Sequence, residues 1–314
     1  MDKGVFIILD GLGDNLIKEL RYKTPLEDAK KQNINKLVRY SECGLLYIKE
    51  RGYIPRCIES NLSLLGYDFK YNELIFKALV YKELKENQFL IEIESKEYPK
   101  IEDIYDIIKY KDNDYILVFD NYDKEIIEKL KKYKIKNKII YKGLNKEDLF
   151  ENKYKLKALY LSSSPIHLSI AKYLKIDYEK PLGTTGKSNE NLYSFSEYTI
   201  ANRNKYDIIF IHIRAPDILS HLKNPFKKKK MIEEIDEYLI KRIKEYFDLI
   251  LITGDHSTSS IKGRHISDPV PVMIHSKYSR YGFVKNFSER KCIKGTLGIL
   301  NSKDIIKIFI DRLK

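Results

Sequence analysis

The chain has 314 residues, 43% of them hydrophobic, which is apolar material enough for one large or two ordinary domains. Its 58 Lys and Arg against 45 Asp and Glu give +13, a balance that favours anionic partners such as phosphorylated metabolites. The charge is mostly lysine spread along the chain, with no helix-turn-helix, zinc-finger or RNA-binding aromatic signature, so no nucleic-acid partner is expected. Cys43, Cys57 and Cys292 are too few and too widely spaced for a disulfide framework, and no apolar run reaches membrane-spanning length. A cytoplasmic protein without a membrane partner is the expectation.

The first apolar run, Gly4 to Leu9, is too short and too soon followed by Asp10 to be a signal peptide. It reads as a buried strand ending in Asp10-Gly11-Leu12-Gly13-Asp14, where the glycines let the backbone turn and bring a carboxylate into a cleft. Thr24-Pro25-Leu26-Glu27 has the pattern of a capped helix start. Cys57 to Leu65 reads as a short helix closed by Gly66, and a thiol at a helix N-terminus is expected to have a lowered pKa. The bland reading of Cys57, a small packed hydrophobe, stands beside it.

Residues 73–156 alternate short strand-like runs with Lys/Glu-rich amphipathic helices, which predicts a small α/β insert. The insert has no histidine and no arginine, and so lacks the guanidinium fork that grips phosphate. After it, Lys157 to Leu161 predicts a strand and Ile166 to Leu174 a helix; Gly183 to Ser188 imitates part of a phosphate loop but reads as a turn.

A further buried strand, Ile208 to Ile213, leads into Arg214-Ala215-Pro216-Asp217-Ile218-Leu219-Ser220-His221, where Asp217 and His221 share a helical face. His212, inside the strand, reads as a core histidine or one that supports the metal ligands from behind, and His167 and His275 read as packing histidines. The lysine run Lys227 to Lys230 predicts a solvated helix start. The apolar run Leu249 to Ile252 ends in Thr253-Gly254-Asp255-His256-Ser257-Thr258, followed by His265 and Asp268-Pro269-Val270-Pro271. Three buried strands thus deliver Asp10, Asp217 with His221, and Asp255 with His256, and parallel strands place such ends along one sheet edge. These carboxylates and imidazoles, with His265, exceed what one ion needs and suit two divalent ions of the zinc, manganese or cobalt kind.

The motifs around Asp10, Lys23 to Glu27, Leu62 to Asp68, Asp217-x-x-x-His221, Thr253 to Thr258 with His265, and Lys294 to Gly298 resemble the archaeal-type, cofactor-independent phosphoglycerate mutases of the alkaline phosphatase superfamily. The resemblance implies an α/β fold: an alkaline-phosphatase-like core (1–72 and 157–314) with a largely parallel sheet covered by helices on both faces, plus the inserted cap domain (73–156). It also implies that Asp217, His221 and His265 hold one metal, and Asp10, Asp255 and His256 with the nucleophile the other. The family's serine nucleophile falls on Cys57, its following Asp on Ile58 and a later His on Asn61; Ser60 is the alternative nucleophile if the loop is shortened. Three readings remain open: a shortened mutase, a metal-dependent phosphohydrolase on the same core, and a metal-binding relative without turnover.

Overall fold

The computed structural model describes residues 2–101 and 104–313. In chain order its strands are β1 (Gly4–Leu9), β2 (Ser41–Tyr47), β3 (Phe89–Glu94), β4 (Asp106–Lys109), β5 (Asp114–Phe119), β6 (Lys134–Ile140) and β7 (Ala158–Ser162). There follow β8 (Asp177–Glu179), β9 (Ile208–Ile213), β10 (Leu249–Thr253), β11 (Ser257–Ser259), β12 (Arg264–Ile266), β13 (Val270–Ser276) and β14 (Gly298–Asn301). Eight of them form one sheet in the order β14-β2-β13-β10-β1-β9-β7-β8. From β10 to β8 all neighbours run parallel, while β13 is antiparallel to β10 and β2.

Period-two alternation explains why β1, β9 and β10 are apolar at nearly every position. Phe6 and Ile8 of β1 pack on one face with Ile170 and Leu174 of the helix Pro165–Leu174 and Phe309 of the helix Ser302–Asp311. Val5, Ile7 and Leu9 pack on the other, with Ile232 and Ile235 of the helix Pro225–Ile235. A strand buried on both faces cannot alternate with polar residues, so its carboxylates appear only at its end.

The expected helix starts are present. Thr24 and Glu27 form the reciprocal capping box of Pro25–Asp28. The helix Cys57–Leu64 stops at Gly66, whose φ of +78° suits glycine and where a side chain would also run into Tyr154 and Ile306. Strands β3 to β6 make a separate antiparallel sheet in the order β4-β5-β3-β6. One of its faces, with Leu90, Ile116 and Val118, joins the main core through the helix Glu73–Tyr81, and Phe76 on that helix lies 5.1 Å from the ring of Tyr173. No helix among the described residues is long and apolar enough to cross a membrane.

The lysine run departs from expectation. Lys230 is solvated, but Lys228 is fully buried, because the face of Pro225–Ile235 that carries it packs over the loops after β1 and β10. Its ammonium donates to Asp14 Oδ2 at 3.0 Å, Gly13 O at 3.1 Å and Thr258 O at 3.1 Å. Asp14 also accepts from the backbone of Ser260 at 2.9 Å, so one buried pair ties two loops together. Removing one partner leaves an uncompensated buried charge. Lys228→Met is expected to lower the unfolding free energy in urea by about 3–5 kcal/mol; a loss below about 1 kcal/mol would place this pair with ordinary surface contacts.

Candidate metal centre

Strands β10, β1 and β9 are adjacent and parallel, with Ile8 level with both Thr253 and His212, so their ends open on one edge. Asp10 follows β1 and is fully buried, its amide donating to Ile213 O at 3.0 Å. Gly11, at φ +63°, donates its N–H to Asp255 Oδ1 at 3.1 Å. A Cβ on Gly11 would lie 2.8 Å from both Asp217 Oδ1 and Thr258 Oγ1, so only glycine lets the three strand ends close together. Asp217 sits in the first turn of the helix Ala215–His221, and its Oδ2 is 3.4 Å from His221 Nε2. His265, on β12, places Nε2 3.7 Å from Asp217 Oδ1. His256 places Nε2 3.2 Å from Asp10 Oδ1, 3.7 Å from Asp255 Oδ2 and 3.5 Å from Cys57 Sγ.

Each of these three histidines is held through its other nitrogen. His221 Nδ1 is 2.9 Å from Gly263 O and His265 Nδ1 is 3.0 Å from Pro55 O; a carbonyl only accepts, so each Nδ1 carries the proton. His256 Nδ1 is 3.0 Å from Thr258 Oγ1, whose single proton goes to Asp217 Oδ1 at 2.8 Å, so here too the ring donates. Each ring therefore turns its Nε2, rather than its Nδ1, toward the carboxylates and Cys57, the arrangement that orients histidines on a metal. Asp217, His221 and His265 bring ligand atoms within 4.8 Å of one another, as do Asp10, Asp217 and His256, and Cys57, His256 and His265.

The electrostatics fit a cation. Burial, then Asp255 and Asp217, push the Asp10 carboxyl well above its ordinary range. Both Asp10 oxygens are buried without a hydrogen-bond partner among the described residues. Burial would also raise Asp255, but His256 and His212 outweigh it and hold it low; Asp217 is held low in the same way by His221 and His256. Three carboxylates crowded out of water, one with no donor to meet it, match a site for divalent cations, and imidazole with carboxylate selects first-row ions over magnesium or calcium.

Four expectations need correction. Cys57 does open its helix, but burial, then the charges of Asp10, Asp255 and Asp217, raise its thiol well above the ordinary value, and together they outweigh one short helix's N-terminus. Ser60 is fully buried and its hydroxyl donates to Arg56 O at 2.9 Å, one turn back, which leaves Cys57 as the side chain beside His256. His167 is not a packing residue remote from the chemistry: it joins His212, which lies behind the ligands as one of its two readings had it, and their ligand atoms come within 4.8 Å of those of Asp10 and Asp255. Lys228, expected in solvent, braces the loops that carry the site. Arg214 had no assigned role, yet its half-buried charge is felt at both Asp10 and Cys57. A histidine inside the otherwise apolar Ile208 to Ile213 was the available signal for His212. Only His275, which lies 3.4 Å from Ser41 Oγ, stays outside the groups.

In the metal-free chain, the hydrogen bond to Asp217 pushes His221 up to about 9, against the effect of burial. Below that pH a proton occupies the nitrogen that a cation needs; above it the nitrogen is free. Apparent affinity of the Asp217–His221–His265 group for zinc or manganese is therefore expected to rise about tenfold per pH unit from pH 6 to 9 and then level off, as one proton is displaced. Competition titration against a chromophoric chelator measures this, and a flat profile would show that His221 holds no proton to displace.

The 2,3-bisphosphoglycerate-independent phosphoglycerate mutase of Pyrococcus furiosus is 27% identical to this chain, covering 98% of it and 97% of that enzyme. The enzyme of the same name from Picrophilus torridus is likewise 27% identical, over 97% of this chain and 96% of its own. The first alignment runs over 399 positions, more than this chain's 314 residues, so the relative carries segments absent here. Among solved structures, the PH0037 protein from Pyrococcus horikoshii superposes with a TM-score of 0.88 at 25% identity, covering 99% of this chain and 97% of its own. The cofactor-independent phosphoglycerate mutase of Thermoplasma acidophilum shares the fold, with a TM-score of 0.76 at 17% identity and complete coverage of both chains. The family model described as the Metalloenzyme superfamily matches residues 2–312, the stretch that contains every side chain of the site, and the chain belongs to that superfamily.

Proposed function

We propose that this protein is a two-metal phosphoryl-transfer enzyme that interconverts 3-phosphoglycerate and 2-phosphoglycerate through a phosphorylated Cys57. The observation that carries the reading is the convergence of three Nε2 atoms, from His221, His256 and His265, on Asp10, Asp217 and Cys57. Asp217, His221 and His265 would hold one divalent ion, and Asp10, Asp255, His256 and Cys57 the other. The ions, when bound, supply positive charge that offsets the transferring phosphoryl group and favours the thiolate. The relatives named as phosphoglycerate mutases, matched along nearly all of this chain, support the substrate class.

Cys57 Sγ, 3.5 Å from His256 Nε2, attacks phosphorus; the bond from phosphorus to the 3-oxygen breaks, and the proton given up by the thiol ends on that oxygen, which leaves as the hydroxyl of glycerate. Glycerate then turns within the site. Its 2-hydroxyl attacks the phosphorus, the bond from phosphorus to sulfur breaks, and the hydroxyl's proton returns to the Cys57 thiol. Arg214, at the end of β9 and with its charge felt at Cys57, offers the fork that holds phosphoryl oxygens. Residues 73–156 serve as the cap, closing over glycerate so that water does not take its place. Their lack of arginine and histidine favours one second reading, a phosphohydrolase that lets the phosphoryl group pass to water.

An enolase-coupled assay with 3-phosphoglycerate and manganese, cobalt or zinc, with free phosphate followed in the same sample, separates the two. The mutase gives 2-phosphoglycerate without phosphate release, whereas phosphate alone moves the protein to the hydrolases. Cys57→Ala and His256→Ala are each expected to lower turnover by at least about a thousandfold, and His256→Ala to lose one bound metal as well. Full activity in Cys57→Ala would remove the thiol from the mechanism.

A further inference from the structure

Asn61 lies inside the helix Cys57–Leu64 and is fully buried. Its Nδ2 donates to Asp255 Oδ2 at 2.9 Å and to Cys57 O, one turn back, at 2.9 Å. Its Oδ1 accepts from the hydroxyl of Tyr160 at 3.1 Å. A carbonyl and a carboxylate only accept, so the amide has one orientation that satisfies all three neighbours. Turned over, it would set its oxygen against two acceptors.

Tyr160 is the central residue of β7 and is fully buried. Its ring stacks on Phe210 of β9, the residue level with it in the sheet, with centroids 6.0 Å apart. Burial, then Asp255 and Asp10, push the phenol up, so it keeps the proton it donates. The mechanism above gives this hydroxyl no part, and it touches neither the reacting atoms nor a carboxylate directly. What it meets is the one oxygen of Asn61, which would otherwise be a buried acceptor without a donor and would draw the amide out of place.

Asp255 is held from two sides, by Gly11 N on Oδ1 at 3.1 Å and by Asn61 Nδ2 on Oδ2. Both donors are neutral. They fix where the carboxylate points and leave its charge for an ion.

We infer that Tyr160 is a positioning residue for the metal centre: acting through Asn61, it fixes Asp255 and the first turn of the Cys57 helix against one another. The inference rests on the reading in which Asp255 helps to hold a cation, and it extends the centre to β7, three strands from the one that carries Asp255. Removing a partner that orients a metal ligand costs about tenfold to a hundredfold in affinity.

The test begins with Tyr160→Phe, which keeps the ring and removes only the hydroxyl. In a zinc titration of the full chain against a chromophoric chelator, this variant is expected to bind one of two ions about tenfold to a hundredfold more weakly and the other within about twofold of wild type. Asn61→Ala is expected to weaken the same ion at least as much, and adding Tyr160→Phe to it to change nothing further, because the hydroxyl acts through the amide. A further loss in the double variant equal to that of Tyr160→Phe alone overturns the inference. NMR of the metal-free chain tells this failure from that of the metal reading. There the Nδ2 protons of Asn61 are expected to exchange with solvent at least about tenfold faster in Tyr160→Phe than in wild type. Faster exchange with unchanged zinc affinity would remove Asp255 from the ion, sinking the two-cation reading while the hold of Tyr160 on Asn61 stands; unchanged exchange overturns the inference whatever the zinc does.

Discussion

The structure depends on holding three buried carboxylates, Asp10, Asp217 and Asp255, within reach of one another at the edge of a parallel sheet. Like charges removed from water repel strongly, so nothing in the fold would bring them together without compensation. Part of it is built into the chain. The amide of Gly11 and the side chain of Asn61 donate to Asp255, and Thr258 donates to Asp217. Asp10 receives no such donor, and both its oxygens are left without a hydrogen-bond partner among the described residues. Crowded carboxylates with one unmet oxygen pair are the physical core of the site, and the histidines and loops are arranged around it.

The second level of order is the anchoring of the imidazoles. Gly263 O and Pro55 O belong to loops far apart in sequence, and Thr258 is on β11, yet all three meet an Nδ1 and so decide which nitrogen faces the carboxylates. Lys228 acts one layer further out. It holds the loop after β1 against the strand that carries Thr258, so the ligand loops are braced by a buried ion pair as well as by apolar packing. A site whose ligands are fixed by such outer contacts loses little entropy when an ion enters.

Much of this was legible in the chain itself. Runs such as Ile208 to Ile213 and Leu249 to Ile252 read as strands buried on both faces, and a short turn after each delivers its acidic residue, Asp217 and Asp255. The Asp217-x-x-x-His221 spacing needed only helical geometry to be read. What misled was context. A helix N-terminus lowers a thiol's pKa only if nothing stronger opposes it, and burial, with three carboxylates, does so at Cys57. Ser60 has the right chemistry at a plausible spacing, but its hydroxyl is taken by the carbonyl one turn back. Lys228 sits in a run that looks solvated because burial depends on which helical face meets the loops, and a lysine run does not reveal that face.

His167 and His212 mark the same boundary most clearly. Five of the chain's six histidines end in the metal-ligand groups, so composition alone carried a hint. Side-chain period, capping and turn chemistry act over a few residues, and by themselves they determined the strands, the helix starts and the acidic strand ends. Strand order, loop closure and ring orientation also join residues far apart in the chain, such as Ile8 with Thr253 and Pro55 with His265. Only the tertiary structure could decide them, because which side chains share a buried space is set by how β7, β9, β1 and β10 line up and not by any spacing along the chain.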